Sequence, residues 1–194
     1  RQMCIRDSSN RKGVVDWINK GPMAKTWDKL PARPLMNLEP CYELIGRRIS
    51  AEDVRNASYW SLFATPISGL TYGHNSMWPW LLFEGEEIQN HSNKFTYPAW
   101  REAIHAPGSA HIGYIAQFIK QFDWWNFMPA QDLLVEQPGE GTFNHFISIV
   151  MNPSNGDIIA YLPVKASINL YNPGRKKYNA QWFNPATSEY FKAK

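Results

Sequence analysis

The 194-residue sequence predicts an α/β unit followed by a unit of antiparallel β-strands. Two observations carry this. Between residues 35 and 73 a short apolar run, an amphipathic helical pattern and a second short apolar run follow one another, the strand, helix, strand order of a parallel crossover. From about Phe127 the apolar period drops from helical to two, in the runs "FISIVMN", "DIIAYLPV", "ASINLYN" and "QWFN", which are separated by the turn sequences "NPSNGD", "NPGRKK" and "NPATSE". No long linker separates the two textures, so the β unit is expected to pack directly on the first.

Taken in order, residues 1–8, "RQMCIRDS", join no periodic pattern and resemble translated adaptor sequence, so they are expected to be extraneous to the fold. A weak helical patch follows over Met23–Leu30, with Pro22 at a first-turn position and Pro31 ending it. Leu35, Met36 and Leu38 read as a short buried strand that stops at Glu39-Pro40, because proline has no N–H to continue a ladder. The clearest helix lies in "ISAEDVRNASYWSLFAT", where Ser50 is a good N-cap, Asp53 puts acid in the first turn, and Ala57, Trp60, Phe63 and Ala64 recur at helical spacing. Pro66 stops it. "ISGLTYG" reads as the second strand, and "GHNSMWPWLLFEGEEI" as a long irregular loop beyond it. Helical patterning resumes at Pro98–Ile104 and at Pro107–Phe122, whose His111, Tyr114, Ile115, Phe118 and Ile119 make one stripe.

Composition narrows the function classes. With 44% hydrophobic residues the chain can build a core, and a net charge of +3 with only one short basic run, Arg175-Lys176-Lys177, gives nucleic-acid binding little support. No run of eighteen apolar residues is present to span a membrane. Nine Trp, nine Tyr and ten Phe are many for this length, and such rings either fill β cores or stack on flat ligands such as sugars. With Cys4 set aside, Cys41 is the single remaining cysteine, so no disulfide framework is expected. The histidines share no zinc spacing, and neither a calcium loop, a nucleophile elbow nor a glycine-rich phosphate loop occurs, so no metal or cofactor is expected.

The chemistry candidates cluster after the two strands. Glu39 falls at a strand's carboxyl end, the edge at which parallel α/β folds do chemistry, and glycosidic hydrolysis uses paired carboxyl groups of this kind. The plain alternative is a solvated glutamate in a tight turn, and spacing alone leaves both open. Glu43 could orient a neighbour, or pair with Arg47 if the turn is helical. Tyr72, His74 and Asn75 follow the second strand and could reach the same rim, with hydrogen bonds to sugar hydroxyls or to a carboxylate. Trp78 and Trp80 offer flat faces to a sugar ring, or else plug the mouth of the fold or meet the β unit.

Five blocks in order, "NLEPCYE", "DVRNASYWSLFA", "GLTYGHNSMW", "WREAIHAPGSAHI" and "FDWWNFMPAQDLL", resemble the carboxyl-terminal half of the apiosidase-like glycoside hydrolases, from about Pro34 to the end. The resemblance implies a (β/α)8 barrel, of which residues 9–125 hold the last two strands and helices, followed over 126–194 by an antiparallel β-sandwich of the kind labelled collagen-binding. It implies that Glu39 is the catalytic nucleophile after the seventh strand, that Tyr42, Glu43, Tyr72, His74, Asn75, Trp78 and Trp80 line the substrate site, and that the acid/base carboxylate belongs to a fourth strand upstream of this chain. The implied substrate is a plant-type polysaccharide or oligosaccharide, met outside the cell or in the periplasm. Two barrel strands cannot close a barrel, so the isolated chain is expected to be inactive and residues 9–125 marginal, whereas the β unit could fold alone. The competing expectation is a non-catalytic β-sandwich module that binds glycan or a protein fibre through Tyr178, Trp182 and Phe183. The closing "AQWFNPATSEYF" resembles the family's terminal hairpin, with Asn184 where Asp is frequent.

Overall fold

The structure is a computed structural model that describes residues 11–38, 40–88, 95–140, 142–172 and 174–193, with only the backbone described for Arg11, Lys12, Val14 and Arg47. Two short helices open it, α1 (Arg11–Lys20) and α2 (Pro22–Trp27), the second starting on proline as expected. Strands β1 (Met36–Asn37) and β2 (Tyr42–Glu43) precede the long helix α3 (Ala51–Ala64), and β3 (Gly69–Leu70) and β4 (Gly73–His74) follow it. β1 pairs with β3 and β2 with β4, both in parallel, so the predicted crossover is present, each arm being broken into two short strands.

Helix α3 is fixed locally and tertiarily. Ser50 and Asp53 form a reciprocal capping box, with Asp53 N–H donating to Ser50 Oγ at 3.2 Å and Ser50 N–H donating to Asp53 Oδ2 at 3.0 Å. Val54, Ala57, Trp60 and Phe63 are all but fully buried. Each large side chain among them contributes about 1.5–3 kcal/mol of transfer free energy. Two further helices, α4 (Trp100–Ala103) and α5 (Pro107–Ile119), complete the helical part, and α5 lies along α3.

The antiparallel part has two sheets. β5 (Met128–Pro129), β6 (Ser148–Met151) and β7 (Ile158–Tyr161) form one, in the order 5-6-7. β8 (Gln181–Asn184) and β9 (Glu189–Lys192) form a separate hairpin, and "ASINLYN" contributes an isolated bridge between Leu134 and Leu170. The three-stranded sheet packs on α3: Tyr59 stacks on Tyr161 at 4.2 Å, Tyr161 donates to Asn56, and Trp60 Nε1 donates to the Phe146 carbonyl at 2.8 Å. The hairpin instead turns Phe183 onto Phe118 of α5, ring centroids 4.5 Å apart. Of a sheet facing the first, the described residues thus show this hairpin, and its packing partner is a helix. One apolar cluster runs from Val15 and Ile18 through α3 to Val150, Ile159 and Tyr161, so the core is continuous across residue 125.

Two expectations are corrected. Helix α1 is missing from the sequence reading, although Val15 and Ile18 are buried and α1 lies against α3. The strand at Leu35–Leu38 is not apolar-inside: Asn37 is fully buried and donates to Ser61 Oγ of α3 at 2.9 Å, while Met36 and Leu38 are about half exposed. With Asn37 turned toward α3, side-chain alternation points its apolar neighbours the other way.

Candidate functional site at the strand ends

The two parallel pairs leave the backbone on either side of residue 39 clamped to the loop that follows α3. Ser68 N–H donates to the Leu35 carbonyl at 2.8 Å, Thr71 N–H to that of Asn37 at 3.2 Å, and Asn75 N–H to that of Glu43 at 2.9 Å. The Thr71 hydroxyl donates to the Leu38 carbonyl. The segment that carries Glu39 and the segment that carries Tyr72, His74 and Asn75 therefore run in the same direction and end at one edge. Glu39 itself lies outside the described residues.

Glu43 is the hub of what is described. It is 4% exposed, and its Oε2 accepts from the Tyr72 hydroxyl at 2.7 Å and from the Gly108 N–H at 3.0 Å. Gly108 is the second residue of α5, whose N-cap, Ala106, has no side chain able to cap it. Glu43 thus caps α5 from across the fold, an acceptor on an orphan N–H at the positive end of a helix. Gly108 is required for this approach: an added Cβ would overlap Oε2 and come within 3.0 Å of Cδ. The expected alternative, a pair with Arg47, concerns a side chain outside the described ones; the described partners of the Glu43 carboxyl group come from other elements. Burial, then the hydrogen bond and charge of Glu43, push the Tyr72 phenol well above its usual range and keep it a donor.

His74 is 1% exposed, and its Nδ1 accepts from Ser76 N–H at 3.0 Å, which leaves the proton on Nε2. Burial lowers its pKa against the opposing pull of Glu43, so it is a neutral imidazole. Asn75 is equally enclosed, at 4%. Tyr42 lies opposite Gly73 in the register, and a Cβ on Gly73 would overlap the edge of the Tyr42 ring, 1.8 Å from Cδ1. Tyr42 and Tyr72 are half-buried, whereas Trp78 and Trp80 are exposed. Of the expected lining residues, then, Glu43, His74 and Asn75 brace the rim from beneath and the aromatic rings stand at the surface.

Three participants escaped the sequence reading as site residues. Gly108 falls inside the predicted Pro107–Phe122 helical pattern, and Trp100, stacked on Trp80 at 4.3 Å, inside the Pro98–Ile104 pattern. His111 read as core stripe. Its Nδ1 faces Arg55 Nη1 at 3.3 Å, and burial, with the Arg55 charge next, holds its pKa below the usual value. Among the described residues no group of three His, Cys, Asp or Glu side chains could hold a metal ion, and no helix is long and apolar enough to cross a membrane. In the β unit, Tyr178 and Trp182 are about half exposed while Phe183 faces α5, so the three do not form one flat row.

The model of a family described as the apiosidase-like catalytic domain matches residues 16–126. Among solved structures, the chain is similar to a glycoside hydrolase family 5 protein from Bacteroides vulgatus, with a TM-score of 0.70 and 22% identity over 88% of this chain and 37% of that one. A second structure, titled a glycoside hydrolase, gives a TM-score of 0.65 and 21% identity over 87% of this chain and 38% of that one. At these identities the likeness is one of fold, and this chain spans well under half of either protein. No match was found among curated proteins.

Proposed function

Because the chain belongs to the apiosidase-like family, whose catalytic-domain model covers residues 16–126, we propose that it carries the nucleophile side of a retaining glycoside hydrolase acting on plant-type polysaccharide. Glu39 attacks the anomeric carbon and holds the sugar as a covalent glycosyl-enzyme; a second carboxyl group protonates the leaving oxygen and then activates the water that releases the sugar. The two groups stand about 5–5.5 Å apart in such enzymes. In this reading the proton donor comes from a barrel strand outside the 194 residues, the last two barrel strands are the broken arms around α3, and the enzyme works outside the cell or in the periplasm.

One observation supports the reading above the rest: the backbone flanking residue 39 is hydrogen-bonded, co-directionally, to the segment bearing Tyr72, His74 and Asn75. Glu43 and Tyr72 hold that edge to the start of α5, so the described backbone on either side of residue 39 belongs to a braced frame. The 194-residue chain, assayed on apiose-containing pectic oligosaccharides, should show no turnover, and measurable turnover would contradict the division of carboxyl groups between chain segments. In a longer protein that includes this chain and is active, Glu39→Gln should abolish the rate with the thermal midpoint unchanged; a variant keeping most of its rate removes Glu39 from the mechanism.

A further inference from the structure

We propose that the outer face of the β8–β9 hairpin, with the basic turn that leads into it, is a docking surface for an acidic polysaccharide, a chain of uronate sugars. That the polyanion is a carbohydrate rests on the glycoside hydrolase reading above; the surface itself rests on charge and register. Residues 165–194 hold six lysines and arginines against one acid, Glu189, a formal charge of +5, while the residues before them sum to −2. All of the protein's net positive charge therefore lies in that segment. Lys165, Arg175, Lys176, Lys177 and Lys192 are exposed.

The register gathers this charge at one end of the hairpin. Gln181 pairs with Lys192 where the chain enters β8, and Asn184 pairs with Glu189 at the turn. The acid thus stands at the far end, where its Oε2 accepts from the Thr187 hydroxyl at 2.7 Å. Lys177 precedes Gln181 by four residues, a reach of at most about 14 Å. The turn that carries Arg175 and Lys176 is held by Asn172. Its Nδ2 donates to the Lys176 carbonyl at 2.8 Å, its Oδ1 accepts from Lys176 N–H at 3.1 Å, and its carbonyl accepts from Arg175 N–H at 3.1 Å.

The two faces of the hairpin differ. Phe183 stacks on Phe118 of α5, and its cross-strand partner Tyr190 accepts from Gln121 Nε2 at 2.6 Å, so this pair is the anchored side. The neighbouring pair, Trp182 and Phe191, points the other way by alternation, and the two residues are 45% and 51% exposed. An anchored ribbon thus presents two aromatic rings next to a group of cations. Rings pack on the C–H side of sugars, and lysine and arginine pair with carboxylates, so the ligand that repeats both features along its length is a polyuronate. A neutral glycan would use the rings and leave the charge unmatched.

The test is fluorescence anisotropy of a labelled oligogalacturonate titrated with the 194-residue chain. Binding should be seen at about 20 mM salt and weaken at about 200 mM. The triple variant Arg175→Gln/Lys176→Gln/Lys177→Gln should lose about tenfold in association constant, and Trp182→Ala several-fold. The matched triple Lys20→Gln/Lys25→Gln/Lys29→Gln, which removes the same charge from exposed positions at the start of the chain, should bind as the unsubstituted chain does. Methyl-esterified oligogalacturonate, the same sugar without its charge, should bind at least about tenfold more weakly. The turn residues are exposed, so their triple variant should keep its thermal midpoint, and it decides the question by itself should Trp182→Ala fail to fold. Absence of binding, an equal loss in the matched triple, undiminished binding of the methyl ester, or tighter binding of polyuridylate, as a nucleic-acid surface would give, each overturns the proposal. Failure of the hydrolase reading would show separately, as Glu39→Gln keeping its rate in a longer, active protein, and leaves these binding comparisons intact.

Discussion

Gly108→Ala should destabilise the protein through one contact, and the size of the effect should depend on residue 43. The added methyl overlaps Glu43 Oε2, lies 3.0 Å from Cδ and 3.2 Å from Tyr72 Cε2, so the carboxyl group must move off the Gly108 N–H. Overpacking of this kind costs about 1–3 kcal/mol, and a hydrogen bond to a charged group contributes about 1.5–3 kcal/mol more when it is lost. Glu43→Ala alone should cost about 2–5 kcal/mol, because it leaves the buried Gly108 N–H and the half-buried Tyr72 hydroxyl without their acceptor. Once Glu43 is gone, the methyl meets only a ring edge, and alanine's higher helix propensity, worth up to about 1 kcal/mol, offsets that. The double-mutant cycle, measured by urea unfolding, should therefore give a coupling of about 2.5–6 kcal/mol, with Gly108→Ala close to neutral in the Glu43→Ala background. Equal costs in the two backgrounds would refute the capping of α5 by Glu43.

Gly73→Ala should destabilise by about 1–3 kcal/mol, since its Cβ overlaps the edge of the Tyr42 ring, and Tyr42→Ala should remove most of that penalty; an unpenalised Gly73→Ala in equilibrium unfolding would mean that the ring is elsewhere. Acid should weaken the fold below about pH 6.5: His74 and His111 resist protonation when folded but not when unfolded, so stability is complete above the unfolded pKa and falls as pH drops toward their depressed values, by at most about 1.4 kcal/mol per unit for each. His74→Gln should flatten that slope in urea titrations at several pH values. Alkali should act in the opposite sense, because burial pushes the Tyr161 phenol up to about 12, and stability present below pH 10 should be lost as pH rises through that value, a loss smaller in Tyr161→Phe, where the raised Tyr59 and Tyr72 phenols remain.

What could be read in advance was local. The Ser50/Asp53 box and the spacing of Ala57, Trp60 and Phe63 set α3 from neighbouring residues alone, and the turn of the β8–β9 hairpin was legible in "NPATSE", where the Asn184 side chain accepts from the backbone two residues on, Ala186 N–H at 2.9 Å. Helix α1 was not legible, since Gly13 and the Val14-Val15 pair lower its propensity and it is burial of Val15 and Ile18 that holds it. Which side of Met36–Asn37 is covered depends on Ser61, a residue on another element, so apolarity alone assigned the wrong face. At the site, parallel pairing followed from the order of the elements. The hub did not, because Glu43, Tyr72 and Gly108 meet over separations of 29 and 65 residues that no local pattern encodes.

Covalent trapping tests the central claim most directly. An active protein that includes this chain, treated with a 2-deoxy-2-fluoro glycoside bearing a good leaving group and digested for mass spectrometry, should carry the sugar on Glu39. A label on any other carboxylate, or hydrolysis with inversion and no label at all, would contradict the account.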